Sequence, residues 1–162
     1  MKRVAIVVLA LSCGCAETFY PAMHVAPDEL VLGQDGGLRL VSGEQTIARE
    51  PTWAGITERI DCDARARDHA RAARRHGRRA RALAIAGGIL GVASLAAFAG
   101  IPFIRRDPST AGAIIGSSLG AGVLGVSLSL GSRQQRILAN GNAVDAMNYY
   151  NDAVLSGRRC GR

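Results

Sequence analysis

ALAIAGGILGVASLAAFAGIPFI, residues 82–104, is followed, after Arg105-Arg106-Asp107, by PSTAGAIIGSSLGAGVLGVSLSLGS, residues 108–132. The first run is 23 residues without a charge and the second 25. A helix rises about 1.5 Å per residue and a hydrocarbon core is about 30 Å thick, so each run is long enough to cross one. Pro108 with Ser109 or Thr110 suits the start of a new helix. A tip confined to residues 105–110 makes the two helices, 82–104 and 111–132, antiparallel neighbours with both flanks on one side. The expected fold is therefore mainly α: a membrane-type antiparallel helical hairpin, with a small N-terminal β-hairpin segment and a C-terminal amphipathic helix.

Glycines recur at four-residue steps in both runs: Gly112, Gly116 and Gly120 in the second, Gly87 and Gly91 in the first. Four residues is close to one helical turn, so each set shares a face where two backbones can approach closely. In lipid that packing replaces the hydrophobic drive between helices. The spacing resembles the glycine-zipper two-helix hairpins of small bacterial envelope proteins, over about 50 of the 162 residues. The resemblance implies an architecture in which these five glycines are the packing residues.

The chain begins with Met1-Lys2-Arg3, an eight-residue apolar run from Val4 to Leu11, and Ser12-Cys13-Gly14-Cys15. Eight residues cannot span a bilayer, so this reads as a signal peptide, residues 1–15, and export follows. The small-residue-then-cysteine ending resembles the bacterial lipobox, which implies lipid attachment at Cys15, after Gly14, or alternatively at Cys13, after Ser12. The expected placement is a periplasm-facing lipoprotein of a bacterial envelope, at the outer rather than the inner membrane.

Residues 16–60 alternate turn signals with short apolar runs: Glu29 to Leu32, then Gln34-Asp35-Gly36-Gly37, Leu38 to Val41, Ser42-Gly43-Glu44, and Gln45 to Ala48. This pattern predicts two or three short strands. They need a neighbour, since an isolated hairpin is marginal. Pro51-Thr52-Trp53 breaks the pattern. Trp53 and Tyr20 fit either interfacial anchors or members of a small core.

From about Thr57 the chain is read as helical, and residues 61–81 form an Ala/Arg-rich helix in which eight arginines lie between Arg65 and Arg81. The block contains no aromatic residue for base stacking and the chain carries an export signal, so membrane lipid is the expected partner and nucleic acid is not. Without Lys2 and Arg3 the formal charge is +5, eighteen arginines against thirteen acids. Ten arginines flank the hairpin against two at its tip, whereas cationic flanks ordinarily stay cytoplasmic. An outer membrane or a protein assembly would relieve that conflict.

Cleavage at Cys15 leaves Cys62 and Cys160, one on each flank of the hairpin, and an oxidising compartment would favour a disulfide between them. Cys62, His69 and His76 recur every seven residues. That step is about 10.5 Å along a helix, too far for one metal ion to bridge. In the C-terminal segment, 133–162, Ile137, Val144, Met147 and Val154 mark an apolar stripe, and Asp145, Tyr149, Tyr150 and Asp152 a solvated face. No nucleophile elbow, phosphate-binding loop or His/Cys pair occurs. The expectation is a protein with no catalytic residues, metal or cofactor, serving as a tether or assembly component that engages lipid and a second copy or an envelope partner. The rival from another class is a small oligomeric pore.

Overall fold

The computed structural model describes residues 29–100 and 108–157. The signal-like start with Cys13, Cys15 and Tyr20, the tip at Arg105-Arg106-Asp107, and Cys160 lie outside them. Three strands, β1 (Leu30–Gln34), β2 (Leu38–Ser42) and β3 (Gln45–Arg49), precede a one-turn helix α1 (Ile56–Arg59) and two long helices, α2 (Ala64–Gly100) and α3 (Pro108–Leu155).

The strands form an antiparallel meander in the order β1-β2-β3. Leu32 pairs with Leu40 across the first hairpin, and Leu40 with Ala48 across the second. The first turn uses the Asp-Gly-Gly signal, with Gly36 at φ +62° in the left-handed region that glycine adopts without strain. The register puts Leu30, Leu40 and Ala48 into a core with Trp53, Ile56 and Ile60, all fully or nearly fully buried. A three-stranded sheet of this size is stable only against another surface, and that surface is the helix pair.

The two helices are unbroken where the sequence reading divided them. At residues 81–82 and 132–133 the chemistry changes from charged to apolar or back, but the residues on both sides are good helix formers with no proline, so the backbone continues. Helix α2 is 37 residues, about 55 Å, and α3 is 48, about 72 Å. Both exceed a hydrocarbon core of about 30 Å. Helix α2 starts where Asp63 Oδ1 accepts the backbone N–H groups of Arg65 (2.8 Å) and Ala66 (3.0 Å), satisfying two of the four donors that a helix start leaves open.

The seam between α2 and α3 repeats every seven residues. On α2 the positions are Ala66, Ala73, Ala80, Gly87 and Ser94, all buried; on α3 they are Ser118, Gly125, Ser132, Ala139, Ala146 and Ala153, buried except for half-buried Ser132. Ala70, Gly77, Ala143 and Tyr150 fill intermediate positions near the sheet. A seven-residue repeat averages 3.5 residues per turn and keeps one face of each helix against its partner. Because nearly every seam residue is Ala, Gly or Ser, the backbones lie close together from the charged end into the apolar end.

Candidate functional site

Above the arginine block the hairpin's outer surface is a sleeve of hydrocarbon. Ile89, Val92 and Leu95 on α2 are 65–70% exposed, and Val123, Val126 and Leu130 on α3 are 62–66% exposed. Both helices are long and apolar enough to cross a membrane, and only 11% of the most apolar stretch of each is buried within the chain. Exposed apolar area on this scale marks a surface that meets lipid or protein rather than water.

Within the sleeve the closest approach is Gly87 against Gly125. A Cβ placed on Gly87 would lie 2.8 Å from the Gly125 carbonyl oxygen and 2.8 Å from Ser129 Oγ; one on Gly125 would lie 3.0 Å from the Gly87 oxygen and 3.1 Å from the Gly91 nitrogen. Of the first-helix glycines of the four-residue reading, Gly87 thus sits at the interface, whereas the Cβ position of Gly91 is open although its backbone nitrogen faces Gly125. Those of the second helix do not sit there: the Cβ position at Gly112, Gly116 and Gly120 is open. Helix α3 presents its seven-residue stripe to α2 instead, and the glycine face points elsewhere. Serines complete the seam. Ser94 Oγ donates to the Ser118 carbonyl (2.7 Å) and Ser132 Oγ to the Ala80 carbonyl (2.8 Å), so each helix donates one side-chain hydrogen bond to the other's backbone.

Comparison with protein-family models, with curated proteins and with solved structures finds no match to the chain.

At the charged end the sheet is fastened to α3 by side chains. Asn151 stands in for a missing strand at the edge of β1: its Oδ1 accepts the Leu30 N–H (2.9 Å) and its Nδ2 donates to the Leu30 carbonyl (2.8 Å). Trp53 Nε1 donates to Asn140 Oδ1 (3.1 Å), and Asn140 Nδ2 donates to Glu50 Oε2 (3.0 Å). Trp53 is fully buried, so the core role holds and the interfacial one does not. The Pro51–Thr52 backbone crosses α2 at Gly77, where a Cβ would lie 2.1 Å from the Pro51 oxygen.

Glu50 is also held by Arg136 through both carboxylate oxygens. Burial by itself would raise its pKa, but the hydrogen bonds from Arg136, Asn140 and the Leu38 backbone, with the Arg136 charge, hold the carboxyl below its ordinary value near 4.5. A depressed carboxyl contributes stability above its unfolded pKa and loses it as pH falls through the folded one. Glu50→Gln is expected to weaken sheet docking by about 1–3 kcal/mol at neutral pH. In acid melts the gap from wild type should close as pH falls below 4.5 and through the lowered folded value; a gap independent of pH would mean that the charge has no part in it.

His69 and His76 each face an amide of α3. His69 Nδ1 lies 3.0 Å from Asn142 Oδ1 with the ring stacked on Tyr149 (centroids 5.5 Å apart), and His76 Nδ1 lies 2.7 Å from Gln135 Oε1. The described residues hold no group of three or more His, Cys, Asp or Glu side chains arranged around a metal position. Cys62 is half-buried against the core at the base of α2.

In the C-terminal stripe Met147 and Val154 pack against the core as expected but are only partly buried, and the fully buried positions are mostly alanine. Ile137 is 64% exposed, while Ala139, Ala143, Ala146 and Tyr150 are buried. Tyr150, read as part of a solvated face, sits in the core with its hydroxyl lacking a hydrogen-bond partner among the described residues. An unpaired buried hydroxyl costs free energy, so Tyr150→Phe should leave thermal stability unchanged or raise it. A loss above about 1 kcal/mol would require a partner for that hydroxyl.

Sequence reasoning missed Ser118 and Ser132. The seven-residue recurrence of small residues was present in the sequence and would have found them. Asn140 and Asn151 carried no such signal, because their partners lie 90 and 121 residues away.

Proposed function

We propose that the chain is a non-enzymatic, membrane-anchored envelope lipoprotein in which the hairpin inserts in a bilayer and holds the sheet and the charged helix bases at its surface. The observation that carries this reading is the division of two continuous helices into an apolar sleeve and a charged base wearing a small folded head. The role that suits such a body is tether or assembly component. The hairpin supplies the grip, the head a surface outside the membrane, and the signal-like N-terminus a second anchor through lipid on Cys15, or on Cys13 in the alternative register. A hairpin in the outer membrane also accommodates the cationic flanks on the exported side.

A second reading, an oligomeric pore, draws support from the open glycine face of Gly112, Gly116 and Gly120. Small residues facing out of the pair give another hairpin a close landing. Dye release from liposomes at low protein density is expected only for the pore.

The intact mass of protein taken from membranes and alkylated without reduction tests the first reading. The expected species begins at Cys15, carries diacylglycerol, and has no alkyl group on Cys62 or Cys160, which we propose are paired. Cys15→Ser should lose the lipid. An unlipidated chain released from membranes by alkaline carbonate would overturn both the anchor and the inserted hairpin, and two alkylated thiols would eliminate the bridge.

A further inference from the structure

Two adjoining grooves lie beside the charged half of α2, away from the alanine seam. One, about 390 Å³, is lined by Thr52, Arg74, Arg78, Arg81, Ala82 and Ile85 among others. The other, about 550 Å³, is lined by Thr57, Arg71, Arg74, Arg75 and Arg78. Arg71, Arg74, Arg78, Arg81 and Ile85 follow one another at steps of three and four residues, so they form a single stripe along the helix. Its wall is the connection from the sheet to α1.

Half of the stripe's arginines are paired with acids. Arg74 Nη1 donates to Thr57 Oγ1 (2.8 Å) and Glu58 Oε1 (2.9 Å), which orients it, and Arg71 has Asp68 at 3.7 Å with both side chains exposed. Glu58 is held below its ordinary pKa first by the Thr57 hydroxyl, then by its own backbone N–H and by Arg74. Arg75, Arg78 and Arg81 have no acidic partner among the described residues. The stripe also ends at a chemical boundary: Arg81 is the last charge before the apolar run, and Ile85, one turn on, is 53% exposed.

A ligand that satisfies both ends needs phosphate beside the arginines and hydrocarbon beside Ala82 and Ile85. Guanidinium forks suit phosphate oxygens, and a soluble phosphate would leave the apolar end unused. We infer that this stripe is a headgroup site for an anionic phospholipid, with the phosphate held by Arg74, Arg78 and Arg81 and an acyl chain running along Ile85. The inference rests on the membrane-inserted reading above and specifies which lipid the inserted protein retains.

The test is lipid retention by the full-length protein. Protein is reconstituted in nanodiscs of mixed phosphatidylcholine and phosphatidylglycerol, extracted into mild detergent, and its co-purifying lipids are quantified by mass spectrometry. Wild type should retain phosphatidylglycerol over phosphatidylcholine by about a hundredfold, three arginines at roughly fivefold each, and Arg78→Gln with Arg81→Gln should cut the preference to about fivefold. Arg79→Gln with Arg133→Gln removes equal charge from residues lining neither groove and should keep the preference. Equal loss in both double variants would reduce the effect to diffuse charge and overturn the site. Displacement of the lipid by millimolar inorganic phosphate would make it a free-phosphate site and overturn the lipid assignment. Retention without preference would overturn the inference while leaving insertion intact, whereas failure to enter nanodiscs would overturn insertion as well.

Discussion

Gly87→Leu is expected to force the two long helices apart and to cost the hairpin about 3 kcal/mol or more, at the upper end of what overpacking usually costs. Even the first carbon of the new side chain would stand 2.8 Å from a backbone oxygen of α3, and the atoms it meets are mostly backbone, which cannot rotate away. Separation there also strains the hydrogen bonds at Ser94–Ser118 and Ser132–Ala80, which lie on either side of the contact. The matched control is Gly116→Leu, whose Cβ position is open and which should leave the pair's unfolding in detergent unchanged. The measurement is helix–helix stability by denaturant titration in micelles for both variants. A Gly116→Leu protein as damaged as Gly87→Leu would put the seam on the four-residue face and overturn the seven-residue one. If Gly116→Leu instead lowers only the yield of oligomer, the open face is where copies meet.

Trp53→Ala should release the sheet from the helices while leaving the hairpin helical. The indole is completely buried, its Nε1 is bound to Asn140, and it is the largest side chain in the core. The backbone at Trp53 has φ +50°, an unfavourable conformation for a bulky residue that the indole's burial must offset. Truncation removes that compensation, empties the centre of the sheet–helix contact and leaves Asn140 with one fewer partner. A loss of about 3–5 kcal/mol is expected, comparable to the whole stability of a small domain. Proteolysis between β1 and α1 should accelerate at least tenfold, while the far-ultraviolet helical signal persists. Unchanged proteolysis would mean that the head is held chiefly by Asn151 on Leu30 and by Glu50 on Arg136. Because Trp53 is the only tryptophan, wild-type emission gives an independent check: it should be blue-shifted when the sheet is docked and move to the red in Gly77→Leu, whose side chain would collide with the Pro51–Thr52 backbone.

Much of the architecture was legible because it is written in local pattern. Two long uncharged runs separated by a charged tip require two antiparallel helices whatever else the chain does. Asp35-Gly36-Gly37 between Leu-rich segments required a hairpin, and the strands fall within a residue or two of their expected places. Where the reading divided one helix into a charged and an apolar piece, it mistook a change of side-chain chemistry for a change of backbone. Nothing in Arg81-Ala82 or Ser132-Arg133 breaks a helix.

What sequence alone determined was therefore the helices, their apolar length, the strands and the charge at their base, since each depends on neighbours only a few residues away. Tertiary structure decided which stripe of each helix is inside. Glycines four apart and small residues seven apart both mark faces where backbones can approach, and α3 carries both. Only the partner's matching pattern selects between them: Ala66, Ala73, Ala80, Gly87 and Ser94 keep a period of seven along α2, so α3 answers with Ser118, Gly125, Ser132, Ala139, Ala146 and Ala153. The fastening of the head was equally beyond local pattern, because Asn151 on Leu30 and Asn140 on Trp53 join residues that the chain separates by about two helix lengths. Those pairings exist because the antiparallel return of α3 brings its C-terminal half back to the sheet.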